Sequence, residues 1–380
     1  MTLEGLFLLV AFLLIPLSHA ENNSAIRALT LACQKNGELN LVFDKLKQIP
    51  NLNKDNNSPW TIKEVMDIRG SGRRFYRITR RENGKLKSYI VMRFNDSRAD
   101  NLNFVKATDF LQSHGVKVPK VFAHEKLEGS EEFLLLEDFG DQLLKRRVEE
   151  SPQNIERDYK AVLREVAKMH KLKESELAGA PLEPPFNFDY YLWEQDLFRE
   201  KLLEKDMGLS SEKARKLLPE AEQKSFIEKI ASQERFLLHR DFQSENILFP
   251  TPRSPGFIDY QGMRLGRPEY DIASLLYDPY VSIAPNIREN LLKNSFERLK
   301  KIKVLPQNLN YSDWKHDYFA PAASQRLMQA LGAYGRLSTE GGKPEYAQYI
   351  PIARTRLLEV LQMAGAFKEL QDYLQSLPKI

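Results

Sequence analysis

Residues 236–281 read FLLHRDFQSENILFPTPRSPGFIDYQGMRLGRPEYDIASLLYDPYV, and three polar side chains within them decide how the chain is read. His239-Arg240-Asp241 follows an apolar run, Asn246 stands five residues after Asp241, and Asp259 closes the stretch Gly256-Phe257-Ile258 thirteen residues later. A carboxylate on a loop can orient a hydroxyl group and take its proton. A neutral amide oxygen can join a magnesium shell without adding negative charge beside phosphates. A carboxylate at the end of an apolar strand can hold a metal rigidly at the edge of a cleft. Asp241, Asn246 and Asp259 therefore form the base-and-metal set that phosphoryl transfer to a hydroxyl requires. An isolated HRD triplet means little, but four fixed residues followed by a strand-ending Asp are hard to obtain by accident.

The spacing H-R-D-x-x-x-x-N is that of the catalytic loop of protein kinases. Residues 236–281 resemble the aminoglycoside phosphotransferase-like superfamily and, within it, the bacterial cell-wall amino-sugar kinases that act on N-acetylmuramate and N-acetylglucosamine. The likeness extends to RGSGRRFYR at 69–77, FLLLEDFGDQLL at 133–144, FDYYLWEQDLFRE at 188–200 and QRLMQALGAYGRL at 325–337, so that it spans roughly residues 60 to 355.

This resemblance implies an α+β chain with a two-lobed protein-kinase-like fold, a small antiparallel β lobe plus a larger, mainly helical lobe. It implies ATP and Mg2+ as cofactors and a small-molecule hydroxyl as acceptor. Asp241 would be the catalytic base in a loop with His239 and Arg240, and Asn246 and Asp259 the magnesium ligands. Leu136-Glu137-Asp138-Phe139 would be the hinge, with Glu137 and Phe139 at the nucleotide. Gly70, Ser71 and Gly72 would lie over the phosphates, with Arg73 or Arg74 nearby. Asp271 would brace the catalytic loop, and Glu194 would be a sugar-binding carboxylate.

The chain departs from that pattern at two places. Strand 89–94 has no lysine for the phosphates; Arg93 takes the position, and a guanidinium is not an equivalent point charge. The nearest helical acid that could pair with it is Asp100. Where the amino-sugar kinases tend to show an acidic residue soon after Asp259-Tyr260-Gln261, this chain has Gly262-Met263.

Working outward, the pattern predicts strands at 61–67 and 75–79 around the glycine turn 69–72. A hairpin at the Asn83-Gly84 pair leads into a strand at 89–92. A helix over 102–114 ends at Gly115, and strands follow at 120–124 and 133–137. From residue 142 the signals are helical, with amphipathic segments at 155–172, 190–205 and 318–337 and a short β insert near Leu248 and 257–260. The expected divisions are an apolar segment 1–20, a helical extension and linker 21–59, a β lobe 60–141 and a helical lobe 142–380. Helical spacing places Trp193 in the core and Glu194 at the surface, against the sugar-binding role the resemblance implies. It makes His170 a structural histidine, and Arg73, Arg74, Arg77, Arg80 and Arg81 a solvated run.

A formal net charge of +4 spread over 56 basic and 52 acidic residues gives no reason to expect nucleic acid as a partner. Cys33, the lone cysteine, can form neither an internal disulfide nor a cysteine-based zinc site. Residues 5–17 are almost wholly apolar but lack a basic segment before them, which leaves an export signal, a membrane-proximal anchor or an upstream extension. An ATP-using enzyme needs a compartment that holds ATP, so the expected location is the cytoplasm. The sequence sets no oligomeric state. Two alternatives stand beside an amino-sugar kinase: a kinase of aminoglycosides or another small molecule, and a nucleotide-binding pseudokinase scaffold. Arg93 and the apolar start motivate the scaffold.

Overall fold

The computed structural model describes residues 61–65, 73–82, 84–95, 103–126 and 131–378. The segment 1–20, the linker up to residue 59, Gly70, Ser71, Gly72 and Asp100 lie outside the described residues. Two compact units emerge: residues 1–62 with 78–88, and residues 63–77 with 89–380. The described part of the smaller unit is Thr61, Ile62 and the tip of one hairpin, where Gly84 adopts φ 75°. A left-handed residue is what a two-residue hairpin turn requires.

The first described element along the chain is an antiparallel sheet. Its strands are β1 (Thr61–Glu64), β2 (Arg74–Glu82) and β3 (Lys85–Asn95), then helix α1 (Phe104–Ser113), then β4 (Val121–Lys126) and β5 (Glu131–Glu137). The spatial order is β1-β2-β3-β5-β4. Strand β3 runs against β5 with Tyr89 opposite Glu137 and Arg93 opposite Phe133. Alternation along β3 buries Met92 and Phe94, and Ala107 and Leu111 of α1 join them in one core.

Helices follow: α2 (Leu144–Glu150), α3 (Ile155–His170), α4 (Phe188–Leu197), α5 (Ser211–Leu217) and α6 (Glu220–Ala231). Helix α4 does not run to residue 205 as an α-helix. It widens into a π-helix at Phe198–Asp206, the kind of local bulge that often marks a functional region. Three short strands, β6 (Phe236–Leu238), β7 (Ile247–Thr251) and β8 (Ser254–Phe257), and then β9 (Arg264–Gly266), interrupt the helices as two small antiparallel pairs, β6 with β9 and β7 with β8. The chain ends with α7 (Pro268–Leu276), α8 (Pro285–Lys301), the single turn α9 (Tyr311–Trp314), α10 (Ala320–Thr339), α11 (Ile350–Ala364) and α12 (Lys368–Ser376).

Helix α10 is the axis of this lobe and is buried on nearly every side from Ala320 to Gly332. Two glycines set its distance from α4. A Cβ on Gly332 would stand 2.7 Å from the Phe198 nitrogen, and one on Gly335 2.5 Å from the Lys201 carbonyl oxygen. That approach brings Gln325 of α10 against Glu194 and Gln195 of α4. Helix α7 is fixed at its first turn: Pro268 sits at the start, where no N–H is needed, and Glu269 takes two bonds from Arg267, each 3.1 Å, and one from the Trp314 indole at 2.8 Å. Among the described residues no helix is long and apolar enough to cross a membrane.

Candidate active site

Helix α7 anchors the 239–246 segment. Asp271, fully buried on its first turn, accepts the backbone N–H of His239 at 2.8 Å and that of Arg240 at 2.9 Å. His170, at the end of α3, bonds the same carboxylate through Nε2 at 3.0 Å. Seven residues on, Asp278 accepts the backbone N–H of Ser244 at 2.6 Å. Sequence reasoning missed this second tether; its only trace is an Asp-Pro pair after an apolar run. The imidazole of His239 is buried, with Nε2 at 3.0 Å from the Ile258 carbonyl, so it packs the loop against β8. Arg240 and Asp259 are both held at positive φ, 79° and 60°, which side-chain-bearing residues rarely adopt.

Within this frame Asp241 pairs with its neighbour, Arg240 Nη1 donating to Oδ2 at 3.0 Å. Burial pushes the Asp241 carboxyl up, but electrostatic attraction, led by the Arg240 guanidinium and then that of Arg326, outweighs it and holds the group below the ordinary aspartate range. Asp241 is therefore a carboxylate at neutral pH. Asn246 donates its side-chain N–H to the Asp241 carbonyl at 2.8 Å, which fixes the amide and turns its oxygen away from that bond. Asp259 lies past the end of β8, about half exposed, with Oδ1 accepting from Gln261 at 2.7 Å and from Arg73 at 3.2 Å. Asn246 and Asp259 thus offer hard oxygen donors, the ligand type magnesium takes.

The segment expected to be the hinge follows β5 directly. Glu137 donates its N–H to the Lys120 carbonyl at 2.8 Å, and the Phe139 ring lies so close to Gly256 that a Cβ there would meet it at 2.4 Å. The Arg77 guanidinium reaches Asp138 Oδ1 at 3.0 Å and Asp141 Oδ1 at 2.6 Å, tying β2 to the hinge. The run of five arginines is therefore not all solvated: Arg73 and Arg80 are buried and Arg77 is engaged, while Arg74 and Arg81 are exposed. Arg93 sits in β3, one strand away from the hinge strand's Phe133.

On α4 the expected order is reversed. Trp193 is 46% exposed and Glu194 is fully buried. Glu194 accepts from the Tyr270 hydroxyl at 2.8 Å and from Gln325 Nε2 at 2.9 Å. Burial pushes its carboxyl up to about 7, against the pull of those two bonds and of Arg240 and Arg326. Behind it runs a chain of amides: Gln223 donates to Gln195 at 3.1 Å and Gln195 to Gln325 at 2.9 Å. Arg264 of β9, which no motif singled out, stacks over Tyr190 of α4 at 4.3 Å from the ring centre.

An antiparallel β sheet followed by a mainly helical lobe, with an ionised Asp241 and two hard oxygen donors on the loops between short strands, is the arrangement of a kinase-fold phosphotransferase. The chain belongs to the phosphotransferase enzyme family, whose sequence model matches residues 67–301. It is similar to an N-acetylmuramate/N-acetylglucosamine kinase of Pseudomonas putida, 25% identical over 290 residues, or 76% of this chain and 82% of that protein. A protein of the same description from Pseudomonas aeruginosa is 26% identical over 297 residues, 77% of this chain and 83% of the other. Among solved structures it is similar to a Plasmodium vivax ethanolamine kinase, with 13% identity, a TM-score of 0.53, and 83% of this chain and 84% of that one covered. It is similar too to a thermostable mutant of an aminoglycoside phosphotransferase in ternary complex with ADP and hygromycin B, with 14% identity, a TM-score of 0.50, and 83% and 98% covered. These structures speak for the fold, which is the two-lobed protein-kinase-like α+β architecture.

Proposed function

We propose that this protein is an ATP- and magnesium-dependent kinase that phosphorylates a hydroxyl group of an amino sugar of the N-acetylmuramate/N-acetylglucosamine type. The observation that carries this reading is the single loop in which Asp241 is ionised beside Arg240 and bonded through its carbonyl to Asn246. Curated relatives described as amino-sugar kinases over three-quarters of the chain support the substrate class.

On this reading Asp241 orients the acceptor hydroxyl toward the γ-phosphoryl group and takes its proton as the new O–P bond forms and the bond from the γ-phosphorus to the bridging oxygen breaks, releasing ADP. Arg240 holds the Asp241 carboxylate in one orientation. Asn246 and Asp259 would hold Mg2+, which would supply neutralisation of phosphate charge. The hinge main chain from Glu137 to Phe139 receives the adenine. Arg73 and Arg93 face the phosphates together with Gly70, Ser71 and Gly72. Asp271 acts through the loop, and Glu194 acts behind the acceptor. The anomeric hydroxyl, the most acidic of a reducing sugar, asks least of a carboxylate base with a lowered pKa.

An aminoglycoside acceptor is disfavoured by the same charges. A polycation gains from an acid-lined pocket, and here the charged groups acting on Asp241 include three arginines, Arg240, Arg326 and Arg264. The test is magnesium-dependent ATP turnover against N-acetylmuramate, N-acetylglucosamine, other sugars and aminoglycosides. Turnover with an acetylated amino sugar, lowered about 100-fold or more by Asp241→Ala with ATP binding retained, supports the reading. Turnover confined to aminoglycosides, or near-normal turnover of Asp241→Ala, would end it.

A further inference from the structure

Buried positive charge surrounds Asp241. Three arginines act on its carboxylate, Arg240, Arg326 and Arg264. Arg240 pairs with it directly. Arg326, buried on α10, spends its N–H groups on neutral partners, Ser274 Oγ at 3.0 Å and Gln329 Oε1 at 2.6 Å. Arg264 is 5% exposed and has no carboxylate partner among the described residues.

The surroundings of Arg264 are built for a planar cation. Strand β9 places it opposite Leu238, the residue before His239. Its guanidinium lies 4.3 Å from the centre of the Tyr190 ring and 5.3 Å from that of Phe186. Nε reaches the Gly262 carbonyl only at 3.5 Å, and Nη1 is buried with no hydrogen-bond partner among the described residues. Arg240 Nε and Gln261 Oε1, on the same loops, are buried and unpartnered as well. An unpaired buried guanidinium N–H is costly, so such a cluster calls for a group that completes it.

We propose that Arg264, held flat against Tyr190, recognises a carboxylate on the acceptor, so that the enzyme selects an acidic sugar over its neutral counterpart. The inference rests on the sugar-kinase reading above and assigns the feature of the sugar that is recognised. A planar guanidinium presents parallel N–H donors to a carboxylate, and one oxygen of the ligand satisfies Nη1.

The test uses the full chain with ATP and magnesium and two matched acceptor pairs. N-acetylmuramate differs from N-acetylglucosamine by a carboxylate-bearing ether, and glucuronate differs from glucose by a carboxylate. In the wild type the acidic member of at least one pair is favoured about 10-fold or more in kcat/KM. Arg264→Gln lowers kcat/KM for that acid about 10- to 100-fold, mainly through KM, and collapses the preference; Arg264→Lys restores part of it. No preference for either acid, or an equal loss for both members of a pair, overturns the carboxylate site while turnover itself leaves the kinase reading standing. If no member of either pair is turned over, the amino-sugar reading fails instead. Calorimetric binding of N-acetylmuramate and glucuronate then decides the site: no binding, or binding unchanged by Arg264→Gln, overturns it. Should Arg264→Gln not fold, the same comparisons with Arg264→Lys decide, and an unaltered preference overturns it.

Discussion

Asp271 accepts the backbone N–H of Arg240 at 2.9 Å, so a residue of helix α7 fixes the main chain immediately before Asp241. The same carboxylate serves His239 and His170, and its removal leaves three buried donors or ring nitrogens without their partner. Asp271→Ala is expected to cost about 3 kcal/mol or more of stability by urea unfolding. It should also lower kcat more than it alters the affinity for ATP. A variant with wild-type kcat and stability would show that the loop holds its shape without this brace.

Asp259 is expected to govern magnesium rather than chemistry at the hydroxyl. Asp259→Ala should abolish most of the magnesium dependence of ATP binding in a calorimetric titration, while metal-free nucleotide binding changes little. Unchanged magnesium dependence would move the metal away from this carboxylate.

Glu194 should make stability depend on pH. Its folded carboxyl is raised from 4.5 to about 7, so between those values the folded chain keeps a proton that the unfolded chain has released. Stability then falls as pH rises through that window, by up to ~1.4 kcal/mol per pH unit. Glu194→Gln does not titrate. The difference in unfolding free energy between wild type and this variant is expected to shift by about 2 kcal/mol from pH 5 to pH 8, against the wild type. A difference constant with pH would mean that the carboxyl ionises freely in its site.

Gly335 offers a test with an unusual sign. Glycine to alanine inside a helix ordinarily gains up to about 1 kcal/mol. Here the added Cβ would stand 2.5 Å from the Lys201 carbonyl oxygen and push α10 away from the π-helical turn. Gly335→Ala is expected to lose about 1–3 kcal/mol in thermal or urea unfolding, and a gain would show that the two helices can part without cost.

What could be read in advance followed from local chemistry. The turn at Gly84, the strand leading into Glu137 and the order of Asp241, Asn246 and Asp259 depend on residue types at short range, and spacing alone places them on loops and strands. Trp193 and Glu194 could not be ordered this way. Apolar and polar residues are spread around α4, and its buried side is chosen by Gly332 and Gly335 of α10, more than a hundred residues away. Arg264 carries no motif, because its meaning comes from the pairing of β9 with β6 and from the ring of Tyr190. Arg73, Arg77 and Arg80 looked like a solvated run because alternation in a strand says which side a residue takes but not what covers that side. Asp278 was hidden for the same reason, since its partner is a backbone N–H in a distant loop.

The left-handed backbone of Arg240 and Asp259 has one more consequence. Each such residue carries a strain of about 1–3 kcal/mol, tolerated because its surroundings leave it no alternative. That strain is imposed once, when the chain folds, and not at each catalytic cycle. Neither nucleotide nor acceptor has to bend the loop into shape on arrival, so their binding free energy remains available for aligning the reacting atoms. A relaxed version of this loop would make a hardier protein and a slower one.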